Sequence, residues 1–155
     1  MSSAQKNLAR IEPATLEDLP ALVELVGALL AEESDFEPDR DKQEQGIRLI
    51  LEQPSRGRIF VVRSDHHLIG MVNLLFTIST AAGGFAINME DVIIHPAHRG
   101  QGYGTLLIEH VIAFARQKEF TRITLLTDTM SAVSQRFFQK HGFIHSQMIP
   151  MRLLL

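Results

Sequence analysis

The chain contains no cysteine. A disulfide framework is therefore excluded, and no thiolate is available as a nucleophile. It also lacks an excess of charge of either sign. Fifteen Lys and Arg stand against 18 Asp and Glu, for a formal net charge of −3. Nucleic-acid binders usually carry a basic face, so no nucleic-acid partner is expected. Long hydrophobic runs are missing as well. The most apolar helical stretch, "LVELVGALLA", is broken by Glu24 and is too short to span a bilayer. The opening "MSSAQKNLAR" has no apolar signal-peptide core. No membrane association and a cytoplasmic location are expected. Nor does any pair of the seven histidines show metal-ligand spacing backed by a third ligand, so no metal is expected.

What is present suits one compact domain over residues 1–155, with 45% hydrophobic and 21% charged residues. "ARIEPA" reads as a short first strand. Thr15, with Asp18 three residues on, forms an approximate capping box for an amphipathic helix over Leu16 to Glu33. The acidic loop "EESDFEPDRD" follows, and the spacing predicts a second helix over Lys42 to Leu51. "RIFVVR", "LIGMVNLLFTIS" and "FAINMEDVII" are β-rich runs joined by the turns "SDHH" and "TAAGG". Helical spacing returns from Gly104 to about Lys118. "RITLLT" is a strand, "SAVSQRFFQKHG" a helix stopped by Gly142, and "FIHSQMIPMRLLL" a final extended segment able to serve as a last strand. This order implies an α+β, or mixed α/β, domain.

The stretch "EDVIIHPAHRGQGYGTLL" joins a strand to a helix through Gly100, Gly102 and Gly104, beside Arg99. The first amides of a helix lack intrahelical partners, and the helix dipole makes that end favourable for anions. Glycine lets a phosphate approach the backbone, and an arginine supplies charge and suitable donors. A phosphate or pyrophosphate cradle is the physical inference, with a turn that binds nothing as the other possibility. The spacing fits neither the Walker loop nor Gly-x-Gly-x-x-Gly, and the loop follows an antiparallel meander rather than opening a βαβ unit.

These residues resemble the GNAT superfamily of acetyl-CoA-dependent N-acetyltransferases. Its signature Arg/Gln-x-x-Gly-x-Gly/Ala is met by Arg99, Gly102 and Gly104, and "FFQKHGF" (Phe137 to Phe143) resembles its second signature, Phe-Tyr-x-x-x-Gly-Phe. The resemblance covers essentially the whole chain. It implies a central mixed, mostly antiparallel sheet with helices on both faces and two strands, "EDVII" and "RITLLT", splayed around the cofactor. It implies acetyl-CoA or coenzyme A as cofactor, held by Val92, Ile93, Ile94, Arg99, Gly100, Gln101, Gly102, Tyr103, Gly104, Thr105, Ser131 and Phe138. The backbone N–H of Ile93, or of Val92, would polarise the thioester carbonyl. Glu90 and Asp91 are the base candidates, with Glu90 ahead. Neighbours on a strand point to opposite faces, so both can serve one site only across a bulge.

One position departs from the pattern. Phe138 stands where many relatives place a tyrosine that protonates the leaving thiolate. The only tyrosine, Tyr103, falls in the loop instead, and Ser131 is a poor acid.

The expected activity is acetyl transfer to a primary amine of a small molecule, by direct attack in a ternary complex. The alternatives are a protein or peptide acceptor, or a coenzyme-A-binding regulatory module with little turnover. The acidic loop, with Glu32, Glu33, Asp35, Glu37, Asp39 and Asp41, would offer negative potential to a cationic amine or merely be solvated. Phe36 would be a lid or a surface anchor. Solvated or capping roles are expected for His66, His67, His95 and His98, partial packing for His110, and no catalytic role for His141 or His145. The apolar C-terminal end makes a homodimer plausible.

Overall fold

The computed structural model describes residues 9–32 and 37–155. Five strands form one sheet in the order of the chain: β1 (Arg10–Pro13), β2 (Gly57–Ser64), β3 (His67–Ser79), β4 (Gly84–Ile94) and β5 (Ile123–Leu125). The first four pair antiparallel, and β5 lies parallel to β4. The helices among the described residues are α1 (Leu19–Glu32), α2 (Arg40–Leu51), α3 (Tyr103–Gln117) and α4 (Ala132–Lys140). This is the mixed, mostly antiparallel α/β arrangement expected from the sequence.

The run "IFVV" in β2 is apolar at every position because both faces of the sheet are covered. Ile59 and Val61 point to one side and meet Leu22, Val23 and Val26 of α1, Ile47 of α2, Met71 and Ile93. Phe60 and Val62 point to the other side. There they join Val72, Leu74, Ile87 and Met89 against Leu107, Ile108 and Val111 of α3.

Arg63 ties the start of the chain to the sheet. Its Nε donates to Glu12, and one terminal nitrogen donates to Asp18 Oδ2 at 2.7 Å. The Thr15 N–H donates to the same Asp18 carboxylate at 2.9 Å. Burial alone would raise the Asp18 carboxyl. The hydrogen bonds from Arg63 and Thr15, with the guanidinium charge, outweigh it and hold Asp18 below its ordinary value.

Several boundaries differ from the sequence expectation. The predicted helix from Leu16 is a 3₁₀ turn over Leu16–Asp18 before α1 opens at Leu19. Pro20 follows at once, in the first helical turn, where its missing N–H costs nothing. Helix α2 begins at Arg40, not Lys42, because the Asp39 carboxylate accepts from the Lys42 N–H at 3.2 Å. Asp65 and His66 make the "SDHH" turn with φ of 48° and 68°, the left-handed pair that a tight hairpin requires. The strand "RITLLT" shrinks to three residues, and the final segment forms no strand. Ile144, Met148, Ile149, Met151 and Leu153 to Leu155 are each 81% exposed or more. Among the described residues no strand lies on the outer edge of β5, so this tail has no ladder to join.

Candidate active site

The site is built where β4 leaves its neighbours. Its pairing with β5 covers only Ile87 to Met89 against Ile123 to Leu125. Beyond that point the two strands diverge. A cleft of about 230 Å³ opens there, lined by Asn88, Met89, Glu90, Thr124, Leu125 and Leu126.

On its other edge β4 carries a bulge. Asn73 of β3 faces Glu90, and Met71 faces Ile93, so two steps along β3 match three along β4. Asp91 takes up the extra residue with φ of 53°, a conformation that L residues rarely adopt. Met89 and Val92 pack toward α3 although they are three residues apart, and Ile93 packs toward α1 and α2. Glu90 and Asp91, between them, both turn to the α1–α2 side. A regular strand would have sent them to opposite faces. Glu90 is exposed, and Asp91 is half-buried with its Oδ2 accepting from Asn73 Nδ2. The sequence reading passed over Asn73. Its signal was a single amide inside the apolar run "LIGMVNLLF".

After β4 a 3₁₀ turn over Pro96–His98 leads into the glycine loop. His95 Nδ1 accepts from the Ala97 N–H at 3.1 Å, a capping role, and the His98 ring stands edge-on to Tyr103. Arg99 is anchored. Its Nε donates to the Ile94 carbonyl at 3.0 Å, and a terminal nitrogen lies 3.5 Å from Glu32 at the end of α1. Gln101 Nε2 lies 3.5 Å from the Ala97 carbonyl oxygen. Gly100 and Gly102 have φ of 74° and 89°.

Gly102 is the N-cap of α3 and offers no side-chain acceptor. The helix's first backbone bond runs from the Leu106 N–H to the Gly102 carbonyl at 3.2 Å. The N–H groups of Tyr103, Gly104 and Thr105 precede it, in the first turn where intrahelical partners are missing. Together with the dipole of a 15-residue helix they make this end favourable for an anion, beside Arg99. Gly104 has a second reason to be glycine. A Cβ there would stand 3.3 Å from Cζ of Phe137, so α4 packs directly on the first turn of α3. Free first-turn amides beside an arginine have the chemistry to attract an anion.

The remaining candidate residues separate into groups. Val92 and Ile94 are half-buried and Ile93 is buried in the sheet. The Tyr103 side chain is 4% exposed and belongs to the core, so only its backbone faces the loop. Thr105 Oγ1 stands 3.5 Å from His141 Nε2. The Ser131 hydroxyl accepts from the Ser134 N–H at 3.2 Å as the cap of α4. Phe138 packs against Phe137 and Phe143 and brings no donor to this corner.

In the acidic loop, Glu32 is paired with Arg99 and Asp39 caps α2, while Glu37 and Asp41 are exposed. Glu33, Asp35 and Phe36 lie outside the described residues. His110, on α3, is half-buried edge-on against Phe60, and burial pushes its pKa down.

An uncapped helix N-terminus behind a glycine loop, a strand pair that parts after three residues and a bulged strand bearing carboxylates lie at one end of the sheet. The sequence profile of the Acetyltransferase (GNAT) family matches residues 22–143. The chain belongs to that family. Over 69 residues it is 39% identical to an uncharacterized N-acetyltransferase, ycf52, of Pyropia yezoensis, covering 44% of this chain and 38% of that protein. Over 87 residues it is 30% identical to streptothricin acetyltransferase of Streptomyces lavendulae, covering 56% and 44%. The chain thus matches less than half the length of either relative. Its fold is that of a possible acetyltransferase from Clostridium difficile 630, with a TM-score of 0.87, 14% identity and coverage of 96% and 98%.

Proposed function

We propose that the chain is an N-acetyltransferase that moves the acetyl group of acetyl-CoA to the primary amine of a small molecule, by direct attack in a ternary complex. The observation that carries this is the N-terminus of α3. It is uncapped by any side chain and flanked by left-handed Gly100 and Gly102, and it follows the strand that splays from β5. The amides of Tyr103, Gly104 and Thr105 would hold the pyrophosphate. Gly100, Gln101 and Gly102 would shape the loop, and Arg99, already braced on the Ile94 carbonyl, would add its charge. The cofactor's arm would run along Val92 to Ile94 in the splay and past Ser131 and Phe138.

Acetyl-CoA supplies the acetyl group as an activated thioester. Glu90, exposed on the bulge, takes the proton of the ammonium directly or through water, with Asp91 beside it on the same side of the sheet. The N–H of Ile93 or Val92 donates to the oxygen that gains charge during transfer. The streptothricin acetyltransferase among its relatives and the small cleft at Glu90 support a small-molecule acceptor. The exposed apolar tail supports a homodimer in which a second copy covers it. Among the described residues no helix is long and apolar enough to cross a membrane, which fits a cytoplasmic enzyme.

A second reading, a coenzyme-A-binding module with little turnover, is favoured by Phe138, which cannot protonate the leaving sulfur. In the enzyme that proton comes from water through the open cleft. The deciding experiment is thiol release from acetyl-CoA over polyamines, amino acids, aminoglycosides and peptide amines, beside a calorimetric titration with coenzyme A. Turnover with a small amine is expected. Turnover with peptides alone would change the acceptor class, and tight binding without turnover would favour the regulatory module.

A further inference from the structure

Asn73 sits in β3 between Val72 and Leu74, both of which pack toward α3, and it is itself 4% exposed. Its Nδ2 donates to Asp91 Oδ2. Among the described residues its Oδ1 has no hydrogen-bond partner. The NH₂ group thus meets the Asp91 carboxyl, and the carbonyl oxygen is left turned away. A buried, unpaired carbonyl oxygen is unfavourable, and a leucine of similar size would avoid it. The contact that offsets this is the one to Asp91, the residue whose left-handed backbone makes the bulge.

We infer that Asn73 is a positioning residue. Through Asp91 it holds the β4 bulge that turns Glu90 and Asp91 to one side of the sheet and sets the Val92 and Ile93 amides in the splay. Asn73 is nearly inaccessible and acts through Asp91 rather than by touching the substrates. The inference rests on the acetyl-transfer function proposed above.

The test is Asn73→Leu, with Asn73→Ser retaining a hydroxyl donor in a smaller side chain. In Asn73→Leu the orphaned oxygen is gone but so is the donor to Asp91, so the thermal midpoint is expected to stay close to that of the unmodified protein. The backbone amide resonances of Glu90 to Ile93 are expected to move. The kcat for thiol release is expected to fall by up to about 100-fold, as for a misplaced reacting group, with a smaller rise in the KM for acetyl-CoA because Val92 and Ile93 also line the cofactor's arm. Asn73→Ser should recover part of the kcat, and it carries the resonance comparison if the leucine variant does not fold.

Resonance changes confined to Val72 and Leu74, with Glu90 to Ile93 unmoved, would overturn the inference whatever the activity. So would a lowered midpoint with unaltered kcat, the mark of a purely structural residue. If the unmodified protein acetylates no amine yet the Glu90 to Ile93 resonances respond, the Asn73–Asp91 clasp stands and the acetyl-transfer function fails.

Discussion

Two strand-to-helix junctions, β4 into α3 and β5 into α4, are built differently. From β4 into α3, the loop ends on a left-handed glycine with no side-chain cap, and the helix buries Tyr103, Leu107, Ile108, Val111 and Ala115. From β5 into α4, the loop ends on Ser131, whose hydroxyl occupies the Ser134 N–H, and the helix buries nothing completely. The first helix is held by its flank, which leaves its N-terminal amides without a side-chain cap. The second satisfies its own first turn and leans on α3 through Phe137. A helix can leave its end groups open only when packing elsewhere stabilises it, because most helical stability in proteins comes from the buried face.

The sharpest way to break this contrast is truncation of the flank. Leu107→Ala empties a fully buried position and is expected to cost about 2–5 kcal/mol. Val133→Ala on α4, where the side chain is 73% exposed, should stay within about 0.5 kcal/mol. Denaturant unfolding of both variants checks the pair. Equal losses would mean that α4 is as firmly packed as α3.

Next in size is a comparison of two left-handed glycines at helix ends. Gly102→Val, at φ of 89°, is expected to weaken coenzyme A about 100-fold, the equivalent of about 2.8 kcal/mol. Gly142→Ala, at φ of 95° after α4, should lower stability by about 1 kcal/mol and leave coenzyme A affinity alone. Calorimetric titration separates them, and an unaltered affinity in Gly102→Val would end the cradle assignment.

The smallest expected effect is a pH slope carried by α3. Burial lowers the pKa of His110, while the unfolded chain takes up that proton near the ordinary value of about 6.5. As pH falls below that value the unfolded state binds more protons, so the stability contributed by the neutral folded ring is lost toward its lower folded pKa. Thermal midpoints between pH 7.5 and 5, taken as roughly the window around that ordinary value, should fall less in His110→Phe. An identical slope in the two proteins would show that His110 contributes nothing to it.

Much of this was legible before any coordinates. Period-two runs and helical spacing located the sheet and α1 to α4 to within a few residues, because apolar periodicity is what packing selects. The loop of Arg99, Gly102 and Gly104 was legible as the turn from a strand into a helix, and the helix does open on a left-handed Gly102. The first turn was misplaced at Leu16 because the local signal of a capping box outweighed Pro20. The tail was read as a possible strand because "MIPMRLLL" is apolar, yet apolarity does not supply a neighbouring edge. Asn73 stood out only as a lone amide in an apolar run, and its partner, 18 positions away, could not be read from the sequence.

By itself, the sequence determined the family, the order of elements and the glycine loop, all of which rest on local spacing and chirality. Only the tertiary structure decided that a bulge puts Glu90 and Asp91 on one side of the sheet, that Tyr103 belongs to the core and that Asn73 holds Asp91. Those depend on register between strands, and a shift of one residue reverses the face of every side chain beyond it.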